Sequence, residues 1–422
     1  MKSLKRWLVR VSAGLAVLAG LAPVLPAHAA SGVSKVPARA AYVMDAQSGQ
    51  VLYQQNANKR YPIASLSKLL TVYLTVKAID SGKINWTDQV PVDHNLIRLS
   101  HNSVFSSLRM KNSDQFTVKE LVVAAMVASS NSAASALGDY VAGSNAAFIE
   151  AMNQQCQDWG INAHFISSSG LDNSDLKSYG YRLPGTGATE ENLVSAKAIS
   201  IVAQHLLAAD PAITQIASKT EATVNGTTIY NENSCLPGKS QYKKESQIDG
   251  LKTGYTENAK LCYTATFWVN GERMIATILG GDTTFSAMNK LIKQVKQTYQ
   301  LQPTALNSRT VTLVNGAKVM AAPNTSQVGS WTQGNQTDTI TTSFKPQLTA
   351  TQLKTGQVQT GEPVGELTVA DQQTGITQHV TYYARSNATL FTSHQAFQTT
   401  TSQPATLLKA LTAQTAVFAS GL

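Results

Sequence analysis

Ser65 and Lys68, in the run Ala64-Ser65-Leu66-Ser67-Lys68-Leu69-Leu70, have types and a spacing that can do chemistry. Three positions apart at the start of an apolar stretch (Leu69, Leu70, Val72, Tyr73, Leu74), they lie one turn apart on the same face of a starting helix. A serine hydroxyl is a weak nucleophile until a base takes its proton, and a lysine serves as that base once burial or a nearby cation lowers its pKa. The pair therefore reads as an activated serine. Ser-x-x-Lys also occurs at Ser174 to Lys177 and at Ser240 to Lys243, so the pair alone reads first as a surface serine beside a lysine stem, and its company must raise it above that.

Two further groups add chemistry. Ser129-Ser130-Asn131 places a hydroxyl and a carboxamide two residues apart, and Lys252-Thr253-Gly254 offers a cation, a hydroxyl and a glycine that lets substrate or backbone approach closely. Each has a second copy, Ser100-His101-Asn102 and Lys354-Thr355-Gly356. Position separates the copies. Ser65 opens an apolar helix after a predicted hairpin, Ala40 to Tyr53, that turns around Asp45 to Gly49. Ser129 interrupts a buried helical stretch from Val118 to Ala136, where a backbone break lets side chains face a cleft. Lys252 stands in the first of three predicted strands, Gly250 to Tyr255, Leu261 to Val269 and Arg273 to Gly280, the last two joined at Asn270-Gly271. Lys354 lies beyond a linker.

Other predicted elements are a helix ending at Trp159-Gly160, a helix over Glu190 to Leu207, a strand pair about Asn225-Gly226 and a helix over Phe285 to Tyr299. Helices in the middle and strands from both ends imply one α/β domain whose sheet joins the first hairpin to the last strands. After Gln300 to Asn307, short alternating runs rich in Thr, Gln, Val and Gly read as a small all-β module.

The 422-residue length allows two or three domains, and 43% hydrophobic content fits a globular chain. Lys2, Lys5, Arg6 and Arg10, an apolar run from Val11 to Leu25 and Ala27-His28-Ala29 have the layout of a secretory signal peptide. The formal charge is +9, and no basic stripe interleaves with aromatics, which argues against nucleic acid as partner. Cys156, Cys235 and Cys262 form no metal-ligand spacing; they allow one disulfide and a free thiol, or buried thiols only. The expected boundaries are 1–29 signal peptide, 30–300 catalytic domain, 301–395 β domain and 396–422 tail. The tail reads as an amphipathic membrane anchor or, alternatively, as a frayed or protein-packed end.

Ser-x-x-Lys, Ser-x-Asn and Lys-Thr-Gly in this order are the signature of penicillin-binding proteins and serine β-lactamases. From Ala40 to Tyr299 the chain resembles the D-alanyl-D-alanine carboxypeptidases, low-molecular-mass penicillin-binding proteins of the S11 peptidase type. The words that carry the likeness are Asp45-Ala46-Gln47-Ser48-Gly49, Ile63 to Lys68, Ser129 to Ala134, Gly170-Leu171-Asp172 and Asp249 to Thr256. The resemblance implies a transpeptidase-like fold, an antiparallel sheet with flanking helices and a helical subdomain, followed by the β domain.

It also implies roles. Ser65 would attack the penultimate D-Ala carbonyl of a peptidoglycan stem peptide, Lys68 would take its proton, and Ser129 would pass that proton to the departing D-Ala. Lys252 would hold the terminal carboxylate and keep Lys68 partly neutral, and Thr253 would bond the same carboxylate. Asn131 would bind the amide side of the substrate, Gly254 would permit close approach, and the N–H groups of Ser65 and Tyr255 would form an oxyanion hole. β-Lactams would acylate Ser65; no cofactor or metal is implied, and the protein would work outside the cytoplasmic membrane. Glu190-Glu191-Asn192 lacks the spacing of a class A β-lactamase deacylation motif. D,D-endopeptidase or weak transpeptidase action on the same site, or a non-catalytic wall-binding role, are the alternatives.

Overall fold

The computed structural model describes residues 32–313, 316–334, 339–355 and 357–388. The expected signal peptide, the whole of the expected tail and Gly356 lie outside the described residues.

The first unit is built on strands β1 (Ala40–Asp45) and β2 (Val51–Gln55) and helices α1 (Lys68–Asp80), α2 (Val118–Val127), α3 (Asn131–Ala142), α4 (Asn145–Asp158) and α5 (Ala196–Ala209). Strands β3 (Gly250–Thr256), β4 (Lys260–Val269) and β5 (Glu272–Gly281) and helix α6 (Thr284–Thr298) complete it. The sheet order is β3-β4-β5-β1-β2, every pair antiparallel, so the first hairpin joins the last strands as the sequence predicts.

Alternation along β1 shows why the sheet needs cover on both faces. Ala40, Tyr42 and Met44 enter one core with α1, α2, α3 and α5, while Ala41 and Val43 enter the other with Ala287, Leu291 and Val295 of α6. Every residue of β1 is buried. Helix α1 is buried on nearly all sides, including Leu69, Leu70, Val72, Tyr73 and Val76, which makes it the central helix of the larger core.

Caps fix the boundaries around the site. Thr117 and Glu120 form a reciprocal capping box at the start of α2, and Ser130 caps α3 by accepting a bond from the Ala133 N–H. Between them Ser129 has φ +57°, which breaks the helix where the sequence predicts an interruption. The helix expected over Glu190 to Leu207 begins later. Leu193–Ser195 is instead a strand paired with Arg60–Pro62 and Ala163–His164, and Ser195 then caps α5 through the Ala198 N–H. The buried Asn192 side chain explains the difference, because its bonds to the loop at residues 166 and 167 hold the preceding segment extended.

The first unit also includes Gly329–Ile340 and Ala370–Thr377. Trp331, 1% exposed, donates from its indole to Asp45 Oδ2 at 2.8 Å, and its backbone exchanges bonds with the Gln50 carboxamide. A five-stranded sheet ordered Arg309–Thr312, Lys318–Ala322, Thr377–Ala384, Pro363–Asp371 and Ile340–Pro346, its first three strands paired antiparallel, lies mostly in the second unit, in keeping with the predicted β module. Cys156, Cys235 and Cys262 are buried free thiols.

Candidate active site

Ser65 sits in a 3-10 turn, Ala64–Ser67, directly before α1, and Lys68 is the first residue of that helix. The Lys68 amine is fully buried and lies 2.9 Å from Ser65 Oγ, 2.7 Å from Asn131 Oδ1 and 2.6 Å from the Ser169 carbonyl. The identity of these neighbours decides what the amine can do. A carboxamide oxygen and a carbonyl only accept, so a neutral amine spends both of its hydrogens on them and turns its lone pair toward the remaining partner. That partner is the Ser65 hydroxyl, which can donate.

Three physical effects act on Lys68. Burial lowers its pKa well below the usual lysine value, the Lys252 cation lowers it further, and Glu232 opposes both. Lys252 is itself buried, and burial depresses it to about 8 against the pull of Glu232. Burial depresses both amines, and the charge on Lys252 disfavours a second charge at Lys68, which favours the neutral amine there.

Asn131 is held at both ends. Its Nδ2 donates to the Ser106 carbonyl at 3.0 Å while its Oδ1 accepts from Lys68, so in this structure it positions the amine, and any bond to substrate requires one partner to exchange. Ser129 and Ser130 precede it in the gap between α2 and α3, with Ser129 4% exposed. The Ser130 hydroxyl accepts from the Leu108 N–H, tying the loop that carries Ser106 to the same gap.

Lys252, Thr253, Gly254 and Tyr255 lie on β3, the edge strand of the sheet. A Cβ on Gly254 would stand 2.9 Å from Ser65 N, 3.1 Å from Leu66 N and 2.9 Å from the Ile63 carbonyl. Glycine is thus required for β3 to run against the turn bearing Ser65. An edge strand leaves alternate backbone groups outside the ladder, and the Tyr255 side chain is 62% exposed. Lys252 donates to the Thr253 carbonyl at 2.9 Å.

Support for the site comes from residues to which the sequence assigns no role. Gly170, at φ +90°, lies so close to the turn that an added Cβ would meet the Ala64 carbonyl oxygen at 2.0 Å. Asn192 accepts from Ile166 N and Ser167 N and donates to Ser67 Oγ and the Ser167 carbonyl, all within 3.0 Å. Thr71 donates to the Ser168 carbonyl at 2.7 Å, and the Ser167 hydroxyl accepts from Ser169 N and Gly170 N. The loop is therefore fastened to α1 on one side while it presents the Ser169 carbonyl to Lys68. In sequence it is marked by the Ser167-Ser168-Ser169-Gly170 run and by Gly170-Leu171-Asp172, but its bonds join distant residues and leave no period.

The other copies of the motifs have different surroundings. Ser174 gives its hydroxyl to Asp172 at 2.6 Å in a five-residue helix, and Ser240 and Lys243 lie in a turn segment. Lys354 and Thr355 end the helix Ala350–Thr355 of the second unit.

Residues 27–283 match the family model described as D-alanyl-D-alanine carboxypeptidase. The D-alanyl-D-alanine carboxypeptidase DacF of Bacillus subtilis is 28% identical over 290 residues, 67% of this chain and 68% of that relative. Matches to Escherichia coli relatives span 58% of the relatives' length. Among solved structures, the chain is similar to a peptidoglycan synthesis regulatory factor (PBP3) from Streptococcus pneumoniae, 29% identical with a TM-score of 0.71 over 84% of this chain and 99% of that one. It is also similar to penicillin-binding protein D2 from Listeria monocytogenes in its cefotaxime-bound form, 28% identical with a TM-score of 0.52 over 62% of this chain and 98% of that one. With the model match running through the turn of Ser65, the gap at Ser129 and the edge strand of Lys252, the chain belongs to the D-alanyl-D-alanine carboxypeptidase family of serine peptidases.

Proposed function

We propose that the protein removes the terminal D-Ala from peptidoglycan stem peptides through an acyl-enzyme on Ser65. The observation that carries this reading is the buried Lys68 amine, whose partners leave its lone pair to the Ser65 hydroxyl. In the first step Lys68 takes the hydroxyl proton as Ser65 Oγ bonds to the penultimate D-Ala carbonyl carbon. The carbonyl oxygen gains negative charge and is received by the N–H groups of Ser65 and Tyr255, where one such donor is typically worth ~3–4 kcal/mol. Collapse breaks the C–N bond, and Ser129 passes the proton from Lys68 to the leaving amine. Water then attacks the ester with Lys68 again as base, releasing the shortened stem and restoring Ser65.

The terminal carboxylate falls to Lys252 and Thr253. Lys252 serves twice, because the charge that holds the carboxylate also disfavours a second cation at Lys68. β-Lactams, which carry a carboxylate beside a strained amide, enter as substrate mimics; the cefotaxime-bound Listeria relative supports this. The substrate lies outside the cytoplasmic membrane, which agrees with export directed by residues 1–29 and with peripheral membrane contact through the tail.

The test is D-Ala release from a stem pentapeptide. Wild type should release it and Ser65→Ala should not, whereas release by folded Ser65→Ala, or none by folded wild type, overturns the reading.

A further inference from the structure

Glu232 is an exposed carboxylate on a segment with buried anchors on both sides. Before it, the Asn231 carboxamide donates to the carbonyls of Ala217, at 3.1 Å, and Lys219, at 2.9 Å, and Asn231 N–H donates to the Thr220 carbonyl. After it, Asn233 Nδ2 donates to the Tyr263 hydroxyl at 3.0 Å, which donates to the Gly250 carbonyl at 2.8 Å. Both anchors converge on the start of β3. A Cβ on Gly250 would stand 3.3 Å from the Ala217 side chain, and Tyr263 is the cross-strand neighbour of Thr253. The segment is thereby fastened across the strand that carries Lys252, two residues beyond Gly250. Neither asparagine has a partner on Glu232 itself, and the carboxylate makes no ion pair among the described residues.

We infer that Glu232 is a specificity-determining residue of this site, a fixed negative charge at its mouth that balances Lys252 and Lys68 and weighs against the anionic end of the substrate. The inference rests on the carboxypeptidase reading for its substrate. Glu232 raises both lysines against the burial that depresses them. The other titratable groups on the elements packed here do not replace it. Tyr263 and Cys235 are pushed up by burial and stay neutral, Asp249 is paired with Arg273 at 2.9 Å, and Lys219 carries the opposite charge.

The signs follow. Without Glu232 both lysines lose their protons at lower pH. Lys68 becomes an available base earlier, Lys252 discharges earlier, and both limbs of the pH profile move toward acid together. On the acid side, where Lys252 is charged in either protein, removal of a like charge also strengthens carboxylate binding.

Glu232→Gln tests this in the full chain, with Glu150→Gln on the exposed face of α4 as control. The readouts are the pH dependence of kcat/KM for D-Ala release and, independent of activity, the titration of the buried lysines followed by 13Cε-lysine NMR. The expected result is a downward move of both limbs and of both lysine midpoints by about half a pH unit, hence about a threefold loss of kcat/KM on the alkaline side. KM should fall about two- to fivefold near pH 6, an effect that shrinks with added salt. Glu150→Gln should match wild type. Lysine midpoints unchanged in Glu232→Gln overturn the inference. Midpoints shifted in Glu232→Gln, together with a wild type that releases no D-Ala, uphold the charge balance and overturn the carboxypeptidase reading instead.

Discussion

Gly170→Ala puts the most weight on geometry. The added Cβ would stand 2.0 Å from the Ala64 carbonyl oxygen, 2.4 Å from the Ala64 carbonyl carbon and 3.0 Å from Ser65 N. All three are backbone atoms, so no side chain can swing aside, and relief requires the turn and the loop to separate by about 1 Å in a close-packed interior. The φ of +90° adds left-handed strain of about 1–2 kcal/mol for a residue with a Cβ. A nucleophile displaced by that distance loses about 10²-fold in rate. Gly82→Ala separates the two effects, because Gly82 has φ +72° with nothing within 4 Å of its added Cβ. The assay is the rate of covalent labelling by a fluorescent penicillin beside a thermal melt of each variant. Gly82→Ala should lose stability only, while Gly170→Ala should lose stability and slow acylation about a hundredfold. Labelling of Gly170→Ala within threefold of wild type, or an equal loss in Gly82→Ala, would refute the idea that Gly170 seats Ser65.

Lys68→Ala and Lys252→Ala should each abolish D-Ala release, while Lys354→Ala should keep it within about threefold; an equal loss in Lys354→Ala would mean that the wrong Lys-Thr-Gly has been chosen. The rate of acylation should rise with pH as Lys68 gives up its proton and fall again as Lys252 discharges near about 8. Lys252→Arg should carry the falling limb beyond pH ~10, since a guanidinium stays charged there, and an unmoved limb would assign it to another group. Asn192→Ala leaves buried donors and acceptors at Ile166, Ser167 and Ser67 unmatched, and should lower stability by about 3 kcal/mol with acylation slowed as well. A melt unchanged by that substitution would remove Asn192 from the scaffold of the site.

The main sheet, the central helix and the break at Ser129 were legible because each leaves a periodic or punctuated trace. β1 alternates between two cores, Asn270-Gly271 marks a tight turn, and Leu69 to Val76 repeat at helical spacing. Ser65, Lys68, Asn131 and Lys252 were legible through their motifs, and the structure brings the first three into direct contact. What sequence could not show depends on contacts between distant residues. Asn192 reaches Ser67 across 125 positions, and through it a stretch that reads as helix becomes strand. Trp331 reaches Asp45 across 286 positions, from a segment that composition assigns beyond the linker. Asn131 was expected to meet substrate, yet its carboxamide is engaged by Lys68 and Ser106, a partition of bonds that no spacing encodes.

The central claim is that Ser65, alone of the three serines followed by a lysine at the third position, is activated. Peptide mass mapping after incubation with a β-lactam tests it most directly. One acyl adduct is expected on the peptide holding Ser65, absent from Ser65→Ala and from Lys68→Ala; an adduct on Ser174 or Ser240, or a folded protein left unmodified, would contradict the claim.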